Sequence, residues 1–330
     1  MQSVVKDTKL AAPNASACQP SHPGPPIIDG MLGRVETAVR TFRPGEESEL
    51  LTLLAEAHGD HYDAAETRRV SSSARFDQAG CFIAEDHGAP VGGVAVTKLP
   101  REKWFVVRYL AVRNAKSSVQ VAQRLLERAV QHVQSQGPEY VRATTPAIEP
   151  YVTAYKNAGF SPVRKDFRIT WDLNVQGYAS SDFDISELQP EMVDEAAASY
   201  VRTLSPYWDW RTEEQGGPGA VARSFKEGTK HGERWLLCRV NGTIVGLAGL
   251  VPDYYGTGKA RSRGASVLPE HRRKGIGSAL MHEILNFAKR LRQNKMTVYT
   301  FSYLDRLAPG ASLYLRSGGK IEAEYLQLQM

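Results

Sequence analysis

Gly264-Ala-Ser-Val-Leu-Pro-Glu-His-Arg-Arg-Lys-Gly-Ile-Gly-Ser-Ala-Leu280 is the stretch on which the reading of this chain turns. Its apolar run ends at Val267 as a strand would, and Pro269, which cannot donate to a sheet ladder, stops it. A basic turn with two glycines follows. From Ser278 the pattern becomes helical, with Leu280, Met281, Ile284, Leu285 and Phe287 at spacings near the helical period of about 3.6. Strand, glycine turn and helix start together make an anion site, because the first helical amides lack partners and carry partial positive charge. Gly275 and Gly277 let a phosphate approach the backbone with no side chain between. A dinucleotide fingerprint would need a third glycine and a distant acidic residue, and the P-loop pattern is absent.

Within it, Arg272-Arg-Lys-Gly-Ile-Gly277 resembles the (Gln/Arg)-x-x-Gly-x-(Gly/Ala) pyrophosphate loop of the GNAT superfamily of acyl-CoA-dependent N-acetyltransferases. Val267, Pro269 and Leu280 agree with the flanks of that loop. Read without the resemblance, the same basic run is a solvated turn.

The chain has 330 residues, enough for two domains that each bury a core. Hydrophobic content of 42% and charged content of 23% place it with soluble globular proteins. A net charge of +5 suits a polyanionic ligand but is too small to argue for nucleic acid. Cys18, Cys81 and Cys238 lie far apart without metal-ligand spacing, so no metal is expected; reduced thiols and a cytoplasmic location are. Residues 1–33, dominated by Pro, Ser and Ala from Ala11 to Pro26, are expected to form a disordered tail, not a signal peptide. No run approaches the roughly 18 apolar residues of a membrane span, so no membrane partner is expected.

From Arg34 the pattern reads β-α-α-β-β-β-α-β-α-β. Glu36 to Phe42 is a strand, Pro44 opens a helix to His58, and a polar helix covers Ala64 to Phe76. Cys81–Ala84 and Val91–Thr97 form a hairpin about His87-Gly88, followed by the buried strand Trp104 to Val112 and the helix Val119 to Val133. The order restarts at Phe183; Pro190 opens a helix to about Thr203, and an aromatic and acidic loop follows it. A hairpin forms across Asn241-Gly242, Arg261 to Val267 is the strand before the basic turn, and Ile321 to Gln329 ends the chain.

This repetition reads as an internal duplication. Tyr155 lies 43 residues after Val112, and Tyr314 lies 47 after Val267. Ala154-Tyr-Lys-Asn-Ala-Gly-Phe160 and Leu313-Tyr-Leu-Arg-Ser-Gly-Gly319 both resemble the family's Tyr-x-x-x-Gly-Phe segment, the second with Gly319 in place of Phe. The resemblance implies an α/β (α+β) fold class: two tandem GNAT folds, each a mixed, mostly antiparallel, splayed sheet flanked by helices, over 34–176 and 177–330. The alternative is one such domain preceded by an unrelated α/β domain. The copies are unequal. Where the second has the basic loop, the first has Ser117-Ser-Val-Gln-Val-Ala122, with Gln120 at the first glycine position and Asn114 in place of the proline. The first copy is therefore expected to be degenerate.

The resemblance implies that the backbone of Ala265, Ser266 and Val267 pairs with pantetheine. It implies also that amides from Arg273 through Lys274, Gly275, Ile276 and Gly277 to Ser278 hold the pyrophosphate, with Arg272, Arg273 and Lys274 adding charge. Tyr314 matches the general acid by position; a core-packing tyrosine is the other reading. Leu307-Ala-Pro-Gly-Ala311 lacks the asparagine that the family often carries there. No carboxylate lies on Arg261 to Val267, leaving Asp253, Glu213, Glu214 or a water relay as base. Trp208, Asp209, Trp210 and Glu213, with Asp253 and Tyr254, form aromatic-acidic patches suited to a cationic amine. Burial of Trp208 and Trp210 between the copies is the competing reading. The function expected is acetyl transfer from acetyl-CoA, as cosubstrate, to a primary amine of a small molecule by direct attack in a ternary complex. A protein N-terminal or lysine acetyltransferase and a non-catalytic acyl-CoA sensor are the alternatives.

Overall fold

The order of elements repeats, as the sequence suggests. A computed structural model describes residues 37–113, 118–174, 177–179 and 182–330. The expected tail, Cys18, Glu36, Asn114 and Ser117 lie outside the described residues. The first half runs β1 (Ala38–Thr41), α1 (Glu47–His58), α2 (Ala64–Ser71), β2 (Phe76–Asp86), β3 (Ala89–Lys98), β4 (Trp104–Val112), α3 (Ser118–Gln134), β5 (Tyr140–Pro146), α4 (Tyr151–Asn157) and β6 (Ser161–Asp172). The second runs β7 (Asp184–Glu187), α5 (Val193–Leu204), α6 (Asp209–Glu214), α7 (Pro218–Lys230), β8 (Arg234–Val240), β9 (Thr243–Val251), β10 (Lys259–Val267), α8 (Ile276–Arg290), β11 (Lys295–Ser302), α9 (Pro309–Arg316) and β12 (Lys320–Gln329).

Local chemistry accounts for the punctuation. Asn241 and Gly242, at φ 51° and 79°, and His87 and Gly88, at 49° and 81°, supply the left-handed pairs that two-residue hairpins require. Pro218 and Pro309 open α7 and α9, where a missing N–H costs nothing. Two sequence expectations need correction. The polar helix stops at Ser71, not Phe76, because Ser71 and Ser73 hydroxyls return to the carbonyls of Arg68 and Val70. Phe76 then enters β2, edge-on to Phe42 at 6.1 Å. The aromatic segment after α5, expected as loop, contains the short helix α6.

Twelve strands form one sheet in the order β1-β2-β3-β4-β5-β12-β6-β11-β10-β9-β8-β7. Neighbours are antiparallel except for β4–β5 and β10–β11. The centre of the sheet holds an exchange. The last strand of the first half, β6, pairs with β11 of the second, and the last strand of the second, β12, pairs with β5 of the first. The exchanged strands also pair with each other. Both parallel pairs part early: β4 meets β5 only over Trp104–Val107, and β10 meets β11 only over Lys259–Arg261. Beyond those points each half is splayed.

Helices cover both faces. α3 places Val121, Leu125, Leu126 and Ala129 in the core of the first half, and α8 places Ile276, Leu280, Ile284 and Leu285 in that of the second. Each of these valine, leucine and isoleucine side chains contributes about 1.5–3 kcal/mol on burial. Cys81 and Cys238 are buried free thiols. No helix among the described residues is long and apolar enough to cross a membrane.

Candidate active site

The site begins at a bulge in β10. Between Ser262 and Gly264 the register with β9 slips, and Gly264 takes φ 84°. Ser262, buried, accepts the Gly264 amide at 2.9 Å. A Cβ on Gly264 would collide with the phenol oxygen of Tyr314, so glycine is needed there for conformation and for space. Tyr314 projects from α9, is 6% exposed, and stands edge-on to Trp171 at 5.9 Å. Burial pushes its phenol up to about 12, although a hydrogen bond from the Ala265 backbone works the other way. The hydroxyl is thus protonated at neutral pH and available as a donor.

Beyond Val267 the chain turns into the start of a helix. Arg273 and Gly275 take φ 61° and 85°, and α8 starts at Ile276 with Ser278 and Ala279 both bonded to the Gly275 carbonyl. The amides of Ile276 and Gly277 precede any carbonyl the helix can offer them. A Cβ on Gly277 would sit 3.4 Å from Leu313 and 3.8 Å from Val267, between the splayed strand and α9. Arg272 has other work. Its Nε donates to Val267 O (3.0 Å), its Nη2 donates to Thr203 O (3.0 Å) and Ser205 O (2.5 Å), and it lies over the Tyr207 ring. It ties the basic turn to the end of α5.

A cavity of about 790 Å³ joins these parts. Trp208 and Trp210, stacked at 5.7 Å, form one side with their edges toward Phe301. Another part of the lining comes from the first half, through His58, Tyr62, Arg108, Tyr109, Arg142 and Asp166. His58 donates from Nε2 to Leu110 O (2.8 Å), since a carbonyl can only accept, and its Nδ1 is buried without a partner. Burial pulls its pKa down to about 4, so the ring is neutral. Glu66 of α2 binds Arg261 of β10 (2.7 Å) and accepts from Tyr254 (2.6 Å). Burial would raise the Glu66 carboxyl, but Arg261 and Arg69 outweigh that and hold it well below the usual range. Asp166 differs: enclosure raises its carboxyl despite nearby arginines, and its Oδ1 is buried without a hydrogen bond.

Of the residues singled out in the sequence, Ala265, Ser266, Val267, Arg272, Arg273, Gly275, Gly277, Ser278, Trp208, Trp210 and Tyr314 line this cavity. Ile276 turns its side chain into the core and offers only its amide. Lys274, Asp209 and Glu213 are exposed and lie outside the lining. Asp253, also outside, takes φ 43° and accepts the Gly258 amide at 2.7 Å, a turn-forming contact. Tyr254 is engaged with Glu66 and Arg261. Glu214 is 2% exposed and bound by Arg142 and Arg211. Trp210 lines the cavity and also packs beneath Arg164 of β6, 3.3 Å from its ring centroid. The residues missed were those of the first-half wall. Their signal was charge inside otherwise apolar strands: Arg108 in Phe105-Val-Val-Arg-Tyr-Leu110 and Arg142 in Val141-Arg-Ala143.

The model of the acetyltransferase (GNAT) family matches residues 48–160 and 190–313. No curated protein sequence matches the chain. Among solved structures, a GCN5-related N-acetyltransferase from Sphaerobacter thermophilus is 17% identical with a TM-score of 0.66, over 89% of this chain and 95% of that one. A tandem GNAT protein from the clavulanic acid biosynthesis pathway is 12% identical with a TM-score of 0.61, over 89% and 98%. A GCN5-related glucosamine N-acetyltransferase region of a fungal multi-domain β-N-acetylglucosaminidase is 15% identical with a TM-score of 0.66, over 91% of this chain and 38% of that one.

Proposed function

The chain belongs to the acetyltransferase (GNAT) family, and from that premise we propose that its second half transfers acetyl from acetyl-CoA to a primary amine of a small molecule. One observation carries the reading: a buried, protonated phenol at the β10 bulge shares a cavity with the left-handed turn at the start of α8. The residues fit the cosubstrate. The open edge of β10 over Ala265–Val267 suits amide pairing, and the amides of Ile276 and Gly277, with Arg273 beside them, suit a diphosphate. Bound there, acetyl-CoA supplies the activated acyl group. Tyr314 Oη then gives its proton to the departing thiolate. Asp166, with a raised carboxyl and an unpaired oxygen, is the lining carboxylate we assign to the proton of the amine. Buried unpaired thiols at Cys81 and Cys238 agree with a reducing, cytoplasmic setting.

The test is free-thiol release from acetyl-CoA across a panel of small amines and peptides. Turnover on small amines that collapses in Tyr314→Phe, with CoA affinity kept, supports the reading. Turnover on peptides alone makes it a protein acetyltransferase, and CoA binding without turnover on any amine makes it a sensor.

A further inference from the structure

The cavity carries, where residues of both halves meet beside Trp210, more positive charge than the carboxylates at that place neutralise. Arg108, Arg142 and Arg211 line it, and Arg164 lies against them over Trp210. Two carboxylates stand among these four guanidiniums. Glu214 is shared by Arg142 Nε (2.7 Å) and Arg211 Nη1 (3.1 Å). Asp166 stands 4.0 Å from Arg164 Nε and accepts the Gln327 amide at 2.6 Å. Arg108 has no carboxylate within ion-pair distance among the described residues, and its Nε is buried without an acceptor. Nε and Nη2 of Arg164 are likewise buried without a hydrogen-bond acceptor. Arg108 rests instead against Tyr109, 5.5 Å from the ring centroid. Crowding registers at Arg142: burial, with repulsion from Arg211, Arg108 and Arg164, brings its guanidinium down to about 10 against the pull of Glu214.

Buried donors without acceptors are costly, and a bound anion offsets that cost. The planar fork of arginine fits two oxygens of a carboxylate or phosphate. We propose that this part of the cavity is an anion subsite, so that the acceptor is an amine that also bears a carboxylate or phosphate held by Arg108 and Arg211. The position of the amine rests on the acyl-transfer reading above; the anion subsite rests on the arginine cluster alone. A polyamine, with no anion to offer, is the wrong occupant.

The test uses the full chain saturated with CoA, so that the turn before α8 cannot take the probe. Two pairs of probes differ only in the anion: phosphoethanolamine against ethanolamine, and β-alanine against n-propylamine. Binding is read at constant ionic strength by calorimetry and by tryptophan fluorescence, Trp210 lying under Arg164. The anionic member of at least one pair should bind about tenfold or more tightly than its neutral partner, the yield of one charge-assisted contact. The pair with the larger gap identifies the anion. Arg108→Ala should abolish the gap, Arg108→Lys restore part of it, and both should keep the CoA affinity of the parent. Arg211→Gln, which leaves the strand core untouched, should narrow the gap if Arg108→Ala does not fold. Equal affinities within both pairs, failure of both anionic probes to bind, or a gap that survives in Arg108→Ala overturns the subsite. If CoA itself does not bind, the acyl-transfer reading falls, while the same pairs run on the free chain still decide the anion preference.

Discussion

Tyr109 and Gly264 occupy the same place in the two halves, three residues before the valine that ends a splayed strand, and both sit at a bulge in the left-handed region. At Gly264 the missing side chain leaves room for the Tyr314 phenol to reach the strand. At Tyr109 a phenol ring fills the position itself, and the corresponding α4 tyrosine, Tyr155, is 0% exposed with its hydroxyl unpaired. A second contrast lies eight residues after each valine. Gly275 holds φ 85° ahead of α8, whereas Gln120 is already inside α3, which starts at Ser118. In the first half, the position that matches this glycine is helical. We propose that the backbone conformation at these two positions is what gives the second half the site and leaves the first as a wall. Residues of the first half nevertheless line the same cavity as Tyr314 and Gly275.

The contrast can be broken or sharpened by substitution. The largest effect is expected from the paired change Tyr314→Phe and Tyr155→Phe. The first should lower kcat by roughly 10²–10⁴, the range of a lost general acid, without weakening CoA; the second should leave both unchanged. With the Tyr314 phenol near 12, no alkaline limb from it should show in a kcat profile below about pH 11. Next comes the neutral His58 of the first half. Its folded pKa of about 4 lies below the ordinary 6.5, so the unfolded chain binds the extra proton. Stability should therefore fall as pH is lowered from 6.5 toward 4 and level off below, by up to roughly 3 kcal/mol, and His58→Gln should flatten that segment of the denaturation profile. Gly275→Gln, which writes the first-half residue into the second, should weaken CoA about tenfold or more through left-handed strain and a lost approach. The smallest effect is on stability in Tyr155→Phe, within about 1 kcal/mol and of either sign, since its hydroxyl has no partner to lose.

Much of this was legible in the chain. The Asn241-Gly242 hairpin, the helical spacing of Leu280 to Phe287 and the repeated tyrosine frames all predict what is found, because each depends on local chemistry. The exchange of β6 and β12 was not legible. Either strand carries a pattern that can pair with β5 or β11, and nothing local chooses between them. That exchange puts Gln327 of β12 between Arg142 and Asp166, bonded to both, so this part of the charged wall stayed hidden with it. Arg272 shows a different limit. Its charge was visible, but that its guanidinium is spent on the carbonyls of Thr203 and Ser205 depends on how α5 packs.

Calorimetric titration of CoA into the parent chain, Gly275→Gln and Gln120→Gly tests the inequality of the halves most directly. One CoA per chain, weakened in Gly275→Gln and untouched by Gln120→Gly, is the expected result. Binding that is indifferent to Gly275, or that strengthens or doubles in Gln120→Gly, would contradict it.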